Sequence, residues 1–289
     1  MFKSDNFTPV EQISLAQEVT KIGIQQTPLT SLLMSKGVEK ATSTIYTFRE
    51  KTLSHDEDIT AAEGAETTEF QTTSRRELNN VLQIFKKAVA ISGSAQAMNG
   101  GQLNKELEDR LFELKVNMEK ALINSLKDDG STTGVRKMSG LIEFADPTNA
   151  VTATGTVTED DVKKMARKLW EQDLAEGTIY ALVNADIKET IDSIYVDRYN
   201  YNHVTTNFGA LAESVNTNYG KINFILSKHV PSDKVVFFND NYVDLAYLRE
   251  PVLSPLAKSG DSDKFQVVAE STLVVKSPKG VGVATLEKE

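Results

Sequence analysis

The sequence QLNKELEDRLFELKVNMEKALINSL, residues 102–126, has the strongest secondary-structure pattern in the chain. Its apolar residues recur at steps of 4, 4, 3, 4 and 4 positions, and they are Leu103, Leu107, Leu111, Leu114, Met118 and Leu122. Because an α-helix repeats about every 3.6 residues, this spacing places them on one stripe and predicts an amphipathic helix over residues 102–126. A helix of about 25 residues is about 37 Å long, which is enough to span a domain.

Two strand-like segments precede this helix, and a long polar stretch separates them. Residues 42–53 alternate in type and residues 81–92 are rich in Val and Ile, which is typical of strands, although a helix over 81–92 competes. Residues 54–74 carry six acidic side chains and neither lysine nor arginine. Hairpin loops usually have about 2–5 residues, and an isolated hairpin is marginal in water. We therefore expect this hairpin to be a flexible lid or to lie on another chain, with a disordered loop as the alternative.

Local patterns elsewhere predict a mixture of helices and strands. Pro28 suits the first turn of a helix, and Thr158 with Asp161 has the spacing of a capping box that opens a helix with Trp170 on its apolar side. Helices are predicted over residues 27–37, 159–170 and 185–196. Strands are predicted over residues 179–184, 221–227, 234–239, 264–269, 272–276 and 281–286, with one short element over 242–249.

The composition excludes several kinds of chemistry. The 289 residues include no cysteine, which excludes disulfides, thiolate nucleophiles, zinc–thiolate sites and iron–sulfur clusters. His55, His203 and His229 lie far apart in the sequence, and the chain has neither a GxSxG motif nor a glycine-rich phosphate loop. We therefore expect no enzyme active site and no cofactor.

The net charge of −9 and the hydropathy pattern bear on the partners of the chain. A protein that binds the phosphate backbone of DNA tightly normally carries a basic patch or stripe, so such binding is not expected. No stretch approaches about 18 uninterrupted apolar residues, so no membrane contact is expected. The first residues, MFKSDNFTPVEQ, lack the apolar core of a signal peptide.

Clusters of carboxylates leave one enzymatic alternative open. The sequence HDED at 55–58 and the pairs Asp240/Asp244 and Asp261/Asp263 could bind a hard cation, since calcium and magnesium prefer oxygen ligands. The run at 55–58 lacks the spacing and the glycine of an EF-hand, and a solvated acidic loop is the favoured interpretation. An acidic metal-dependent enzyme and a soluble binding module are therefore the alternatives to a structural role.

An ordered set of segments resembles the major capsid proteins of tailed bacteriophages, which have the Hong Kong 97-type fold. The segments are RELNNVLQIFKKAVAISGS at 76–94, ELKVNMEKALI at 113–123 after Gly101, residues 142–144 after Gly140, GKINFILSKHVPSDKVVFFN at 220–239, read as a strand pair, and KFQVVAESTLVVKSPKGVGV at 264–283. The resemblance covers nearly the whole chain beyond the N-terminal arm. The sequence SPKG at 277–280 departs from the Asn-Pro-like or Asn-Lys-Ala-His-type residues expected there, which leaves the geometry of that turn open.

The resemblance implies an α+β fold and a division of the chain into segments. The implied segments are an N-terminal arm (1–41), an extended β-hairpin loop (42–95), a peripheral domain with a long spine helix (96–140), an axial domain (141–249) and a return to the peripheral-domain sheet (250–289).

The resemblance also implies a function. The chain would be a structural major capsid protein, not an enzyme, that self-assembles as a homo-oligomer of hexameric and pentameric capsomers into an icosahedral shell. This shell, the virion capsid, would enclose double-stranded DNA without sequence-specific binding and would assemble in the host bacterial cytoplasm. Portal, scaffolding and decoration proteins are implied partners. An encapsulin-like nanocompartment shell protein is the alternative with the same fold.

We expect the residues of the extended loop to contact neighbouring subunits. Exposed ion pairs contribute about 0–1 kcal/mol each, so apolar burial should carry more of the energy. The apolar candidates are Ile45, Phe48, Ile84 and Phe85. The acidic candidates at the loop tip are Asp56, Glu57, Asp58, Glu63, Glu66 and Glu69. The basic candidates near the loop base are Arg75, Arg76, Lys86 and Lys87.

Overall fold

A computed structural model describes residues 27–51, 60, 63–64, 66, 73, 75–98, 102–199, 213–258 and 260–287. Its helices are α1 (Pro28–Lys36), α2 (Gly93–Met98), α3 (Gln102–Asn124), α4 (Leu141–Phe144), α5 (Glu159–Glu171) and α6 (Ala185–Tyr199). Its strands are β1 (Val38–Lys40), β2 (Ile45–Lys51), β3 (Arg75–Val81), β4 (Gln83–Ser92), β5 (Val151–Thr154), β6 (Ile179–Val183), β7 (Ser214–Thr217), β8 (Gly220–Leu226), β9 (Lys234–Asn239), β10 (Val243–Leu256), β11 (Ser262–Val275) and β12 (Val281–Glu287). Within these ranges, no helix combines the length and the apolarity that crossing a membrane requires.

The long helix predicted over residues 102–126 is present as α3, and it ends at Asn124. It packs against a four-stranded sheet of order β1-β10-β11-β4. Leu114, Met118 and Leu122 from the apolar stripe are buried in the core that the helix shares with this sheet. Because full burial of one such side chain is worth about 1.5–3 kcal/mol, the stripe explains why the helix lies there.

Helix α1 lies in the segment predicted as an N-terminal arm, and it packs on α3. Pro28 occupies its first turn and Gly37, with φ of 104°, follows its end, as the sequence predicts. Leu29 and Leu33 are fully buried in the same core as the stripe of α3. The part of the arm from residue 27 onward is therefore docked on its own subunit, and residues 1–26 lie outside the described residues.

A second sheet has six strands in the order β5-β12-β9-β6-β8-β7. Strands β8 and β9 are present where residues 221–227 and 234–239 predict them, but they do not pair with each other. Strand β6 lies between them, parallel to β8 and antiparallel to β9. The interpretation of residues 220–239 as a strand pair is therefore wrong, because the segment between the two strands crosses over a third one.

Two predicted boundaries also differ from the strands that form. Residues 264–269 and 272–276 are parts of one continuous strand, β11, and the short element over 242–249 extends as β10 to Leu256. The predicted end of the axial domain, residue 249, therefore lies inside a strand of the four-stranded sheet. Strand β12 pairs with β9 in the six-stranded sheet, so residues 250–289 contribute to both sheets. The division into arm, loop, peripheral and axial domains stays a prediction.

Strands β2 and β3 form a separate two-stranded sheet, which we call the ribbon. Its register runs from Ile45 opposite Val81 to Lys51 opposite Arg75. The predicted partner of the first strand, residues 81–92, is wrong beyond Val81, because the chain leaves the ribbon at the fully buried Leu82 and continues as β4 in the four-stranded sheet. The true partner has the polar sequence RRELNN at 75–80, which carries little strand signal.

The capping box predicted for the helix after Thr158 is present at the start of α5. The Thr158 hydroxyl accepts a hydrogen bond from the Asp161 backbone N–H at 3.3 Å, and the Asp161 carboxylate accepts one from the Thr158 N–H at 3.1 Å. Val162 and Leu169 are buried as expected, but Trp170 is 55% exposed, with its ring 5.6 Å from that of Tyr219. The placement of Trp170 on the buried side of the helix is therefore wrong.

Candidate assembly surfaces

The ribbon has one face toward its own subunit and one face toward solvent. Along β2, Tyr46, Phe48 and Glu50 are half-buried and alternate with exposed residues. Ile45 begins the outward face and is 51% exposed. Ile45 lies opposite Val81 at the end of the ribbon next to the subunit body, which we call the root, and its contact with a neighbouring subunit stays a prediction.

Asn80 fixes the root of the ribbon to the body of the subunit. Its fully buried amide group donates to the carbonyls of Ser139, at 3.1 Å, and Leu273, at 2.8 Å. Its side-chain oxygen accepts from the N–H groups of Val81, at 2.9 Å, and Ser139, at 2.8 Å. All four hydrogen-bonding positions of the side chain are used, so the orientation of the root is specified by paired groups on three segments.

Phe48 already packs within its own subunit. Its ring lies 6.3 Å from that of Phe144, and it contacts a small cluster formed by Ala41, Leu82, Ala246 and Val274. Only the smaller part of this side chain that remains accessible could be buried by a neighbour. Its contribution to a subunit contact would therefore be smaller than that of Ile45.

The outer end of the ribbon is basic, and the sequence beyond it is acidic. Lys51 lies opposite Arg75, and Arg76 lies opposite Glu50. Directly opposed like charges destabilise a strand pair, so nearby carboxylates would stabilise this end of the ribbon. The predicted acidic residues Glu63 and Glu66 are exposed. The predicted residues Asp56, Glu57, Asp58 and Glu69 lie outside the described residues.

Strand β4 contains four predicted contact residues, and its alternation places two of them on each face of the sheet. They are Ile84, Phe85, Lys86 and Lys87. Ile84, which is 46% exposed, and Lys86 lie on the side of the strand that faces away from α3. Phe85 is only 6% exposed and belongs to the core under α3, where Lys87 forms an ion pair with Glu113 at 3.2 Å. Phe85 is therefore corrected from a contact candidate to a core residue, because its surface is already buried inside the subunit.

Residues that the sequence did not single out extend this exposed side of the sheet. Val252 pairs with Val268, which pairs with Lys86, and residues paired across strands share a face. Val252 is 55% exposed, and Leu256, four residues further along the same strand, is 40% exposed. We call the surface formed by Ile84, Lys86, Val252 and Leu256 the open sheet face.

Two arginines around one buried carboxylate leave a net positive charge beside the open sheet face. Glu270, opposite Ile84, is 3% exposed and contacts two guanidinium groups, those of Arg136 at 2.8 Å and Arg249 at 3.0 Å. Two positive charges against one negative charge leave a surplus of one. Together with Lys86, this surplus makes the surface apolar and basic.

Among the described residues, the distal half of β10 is also an edge of the sheet. Strand β1 pairs with β10 only from Leu245 to Tyr247, so the residues beyond have β11 as a strand neighbour on one side. Pro251 lies where the register with β11 shifts, and Pro255 lies opposite Phe265. Leu253, between the two prolines, is 47% exposed.

Three of the four aspartates in the acidic pairs Asp240/Asp244 and Asp261/Asp263 form ion pairs with lysines. Asp240 and Asp244 both pair with Lys36, and Asp263 pairs with Lys258 at 3.1 Å. Across the part of the chain that the structure describes, no group of three or more histidine, aspartate or glutamate side chains has the geometry of a metal site. The HDED sequence at 55–58 lies outside that part.

The fold is similar to solved structures over almost the whole chain. The capsid structure of cyanophage P-SCSP1u has a TM-score of 0.64 and 15% identity, and the match covers 99% of this chain and 97% of that one. A structure of Gordonia phage Cozz has a TM-score of 0.67 at 11% identity, covering 95% and 90%. The holo-SrpI encapsulin complex of Synechococcus elongatus PCC 7942 has a TM-score of 0.61 at 14% identity, covering 93% and 92%. These likenesses confirm the Hong Kong 97-type fold.

Comparison of sequences identifies the family. No curated protein matches the chain. The profile of the family described as SU10 major capsid protein matches residues 3–288. This match covers both sheets, the ribbon and the long helix α3. The chain therefore belongs to the SU10 major capsid protein family, and it is a structural protein of a phage capsid shell, not an enzyme.

Proposed function

We propose that the chain forms hexameric and pentameric capsomers of an icosahedral virion shell around double-stranded DNA, assembled in the cytoplasm of a host bacterium. The observation that supports this most directly is the ribbon, which forms a sheet separate from the other two and exposes Ile45 on its outer face. A two-stranded sheet is marginally stable alone, so a neighbouring subunit would supply the surface that it lacks.

Apolar contacts would supply most of the energy of the subunit interfaces. Ile45 on the ribbon and the apolar residues of the open sheet face are about half exposed. Burying the remaining half of such a side chain is worth about 1 kcal/mol. An exposed ion pair contributes about 0–1 kcal/mol. Charged groups would therefore determine how two subunits align and would add little to the strength of the contact. These groups are the acidic loop tip and the basic residues Arg75, Arg76 and Lys86.

The acidic character of the chain suits a wall that surrounds DNA without binding it. The net charge of −9 disfavours tight association with phosphates, which would hinder packaging and release of a genome. We expect unassembled subunits to bind DNA weakly near physiological salt. Sub-micromolar affinity for duplex DNA would contradict this part of the proposal.

Loop replacement tests the proposed role of the loop. In one variant residues 54–74 are deleted, and in a second they are replaced by a Gly/Ser sequence of equal length, which removes the acidic groups but keeps the reach. Both variants should give folded subunits, judged by circular dichroism, and no closed shells in negative-stain micrographs. Normal shells from both variants would refute the assembly role of the loop.

The contents of purified particles distinguish a genome container from an encapsulin-like compartment. The similarity to the SrpI encapsulin complex concerns the fold, and a compartment of that kind is the second candidate. Particles from the native source should contain nuclease-protected duplex DNA and should carry portal, scaffolding or decoration proteins at some stage of assembly. Protein cargo without DNA would favour the second candidate.

A further inference from the structure

Helix α1 ends in a lysine that binds the beginning of β10. The Lys36 ammonium group lies 3.1 Å from a carboxylate oxygen of Asp240 and 2.9 Å from one of Asp244. It also donates a hydrogen bond to the carbonyl of Val243 at 2.7 Å. The side chains of Lys36 and Asp244 are 22% and 12% exposed, so solvent screens this ion pair only in part.

The same aspartate links this contact to the ribbon. The second carboxylate oxygen of Asp244 pairs with Lys276, whose ammonium group also lies 3.5 Å from the Glu39 carboxylate. The hydroxyl of Tyr46, on the inner face of the ribbon, donates to the other oxygen of Glu39. A continuous chain of contacts therefore runs from Lys36 through Asp244, Lys276 and Glu39 to Tyr46.

The ionised groups along this series of contacts depend on one another for their charge states. Burial alone would raise the pKa of Asp244, but hydrogen bonds from Lys276 and Lys36 hold that pKa below its usual value. The hydrogen bond to Glu39 raises the pKa of Tyr46 to about 12. Removing one member of a partly buried network leaves the next member with an uncompensated charge or an unpaired polar atom.

The turn after β11 contacts the ribbon a second time. Ser277, which follows Lys276, donates a hydrogen bond to the Glu50 carboxylate on the inner face of the ribbon at 2.6 Å. Two consecutive residues therefore contact the inner face of β2, one directly and one through Glu39. This turn is a second link between the docked N-terminal segment and the ribbon, beside the direct bond from Tyr46 to Glu39.

We propose that the network of Lys36, Asp244, Lys276, Glu39 and Tyr46 couples the docking of residues 28–40 to the angle at which the ribbon leaves the subunit. If the N-terminal segment shifts, Asp244 and Lys276 lose their positions, and the inner face of the ribbon loses two contacts. The coupling is a property of the single subunit, so it can be tested without assembly.

Hydrogen exchange of the unassembled full chain tests the coupling. The Lys276→Met variant removes the central ammonium group but keeps most of the side-chain volume. The matched control is Lys279→Met, three residues away, whose ammonium group forms no ion pair with the described residues. We expect Lys276→Met to raise exchange about tenfold in peptides from both 28–40 and 45–51, and the control to change neither.

A double-mutant cycle makes the coupling quantitative. Exchange in the ribbon is compared for Lys36→Met, Lys276→Met and the double variant. Coupled residues should give a double variant whose effect on the ribbon is clearly smaller than the sum of the single effects. Additive effects, or faster exchange confined to residues near 276, would overturn the proposal. If Lys276→Met fails to fold, Tyr46→Phe gives the decisive result, because faster exchange in residues 28–40 supports the coupling and unchanged exchange there refutes it.

Discussion

Replacing Glu119 should release the N-terminal helix α1 from the long helix α3. Glu119 is fully buried, and its carboxylate accepts hydrogen bonds from the Leu29 N–H at 3.0 Å, the Thr30 N–H at 2.7 Å and the Thr30 hydroxyl at 2.6 Å. Thr27, the residue at the N-cap of α1, makes no side-chain capping bond. A carboxylate from another helix therefore caps α1, where it also meets the positive end of the helix dipole.

The cost of removing this cap follows from the groups left without partners. Glu119→Ala leaves two backbone N–H groups and one hydroxyl without an acceptor, and an unsatisfied buried group costs about 1–3 kcal/mol. Removing Glu119 also removes the cost of burying its carboxyl group, which opposes this sum, so we expect a loss of about 3 kcal/mol of stability, above the usual cost of about 1 kcal/mol for losing an N-cap. Glu119→Gln keeps the shape and one acceptor, and it should cost about half as much.

The pH dependence of the same contact has a definite sign. Burial raises the pKa of Glu119, and the hydrogen bonds from Thr30 and Leu29 only partly oppose this. A carboxyl whose pKa is raised on folding stabilises the protein fully below its unfolded pKa of about 4.3, and this contribution is lost as pH rises through the folded pKa. The stability difference between wild type and Glu119→Gln should therefore shrink between pH 4 and pH 7.

Urea unfolding of the unassembled subunit, followed by circular dichroism at several pH values, measures these differences. Glu108→Gln is the control, because Glu108 is an exposed residue of the same helix. Hydrogen exchange over residues 27–36 shows whether α1 detaches before global unfolding. The reasoning fails if Glu119→Ala unfolds at the same urea concentration as the control, or if the gap between wild type and Glu119→Gln widens as pH rises.

Four further substitutions test other parts of the structure. Asn80→Ala should cost about 2–4 kcal/mol in urea unfolding, because it removes four hydrogen bonds at the root of the ribbon, whereas a cost below 1 kcal/mol would contradict the assigned role. Thr158→Ala should cost about 1 kcal/mol through loss of the capping box, and an unchanged melting temperature would show that the cap is not needed. Ile84→Asp and Val252→Asp should leave the stability of the subunit nearly unchanged, since both side chains are about half exposed, but should prevent closed shells in micrographs. Normal shells would remove the open sheet face from the assembly contacts.

The sequence predicts the elements that have a strong local signal. The helix of residues 102–126, the short helix after Pro28 and the capping box at Thr158 all form, because spacing and capping chemistry act over a few neighbouring residues. Strand order depends on distant pairings, and nothing local indicates that β6 lies between β8 and β9. The sequence predicts the wrong partner for β2 because β3 is polar and carries little strand signal. The hydrogen bonds of the buried Asn80, which attach β3 to the subunit, depend on residues far away in the sequence.

The sequence predicts the contact surface only in part, because it does not show which residues of a strand face the core. Ile84 and Phe85 are adjacent apolar residues, so alternation alone does not decide which of them faces the core. The helix α3 covers Phe85 and leaves Ile84 exposed. Val252 and Leu256 join the same surface only through the pairing of β10, β11 and β4, which brings together residues more than 150 positions apart in the sequence.

The two prolines of β10 have a consequence for the lifetime of the free subunit. A sheet edge with exposed apolar side chains ordinarily templates further strands and leads to aggregation. Proline has no N–H group, so Pro255 cannot donate to an incoming strand, and Pro251 interrupts the same edge where the register shifts. Of the alternate residues 251, 253 and 255, Leu253 alone has an N–H group. The edge can thus offer its side chains to a partner while the two prolines disfavour fibril-like growth of its backbone pairing.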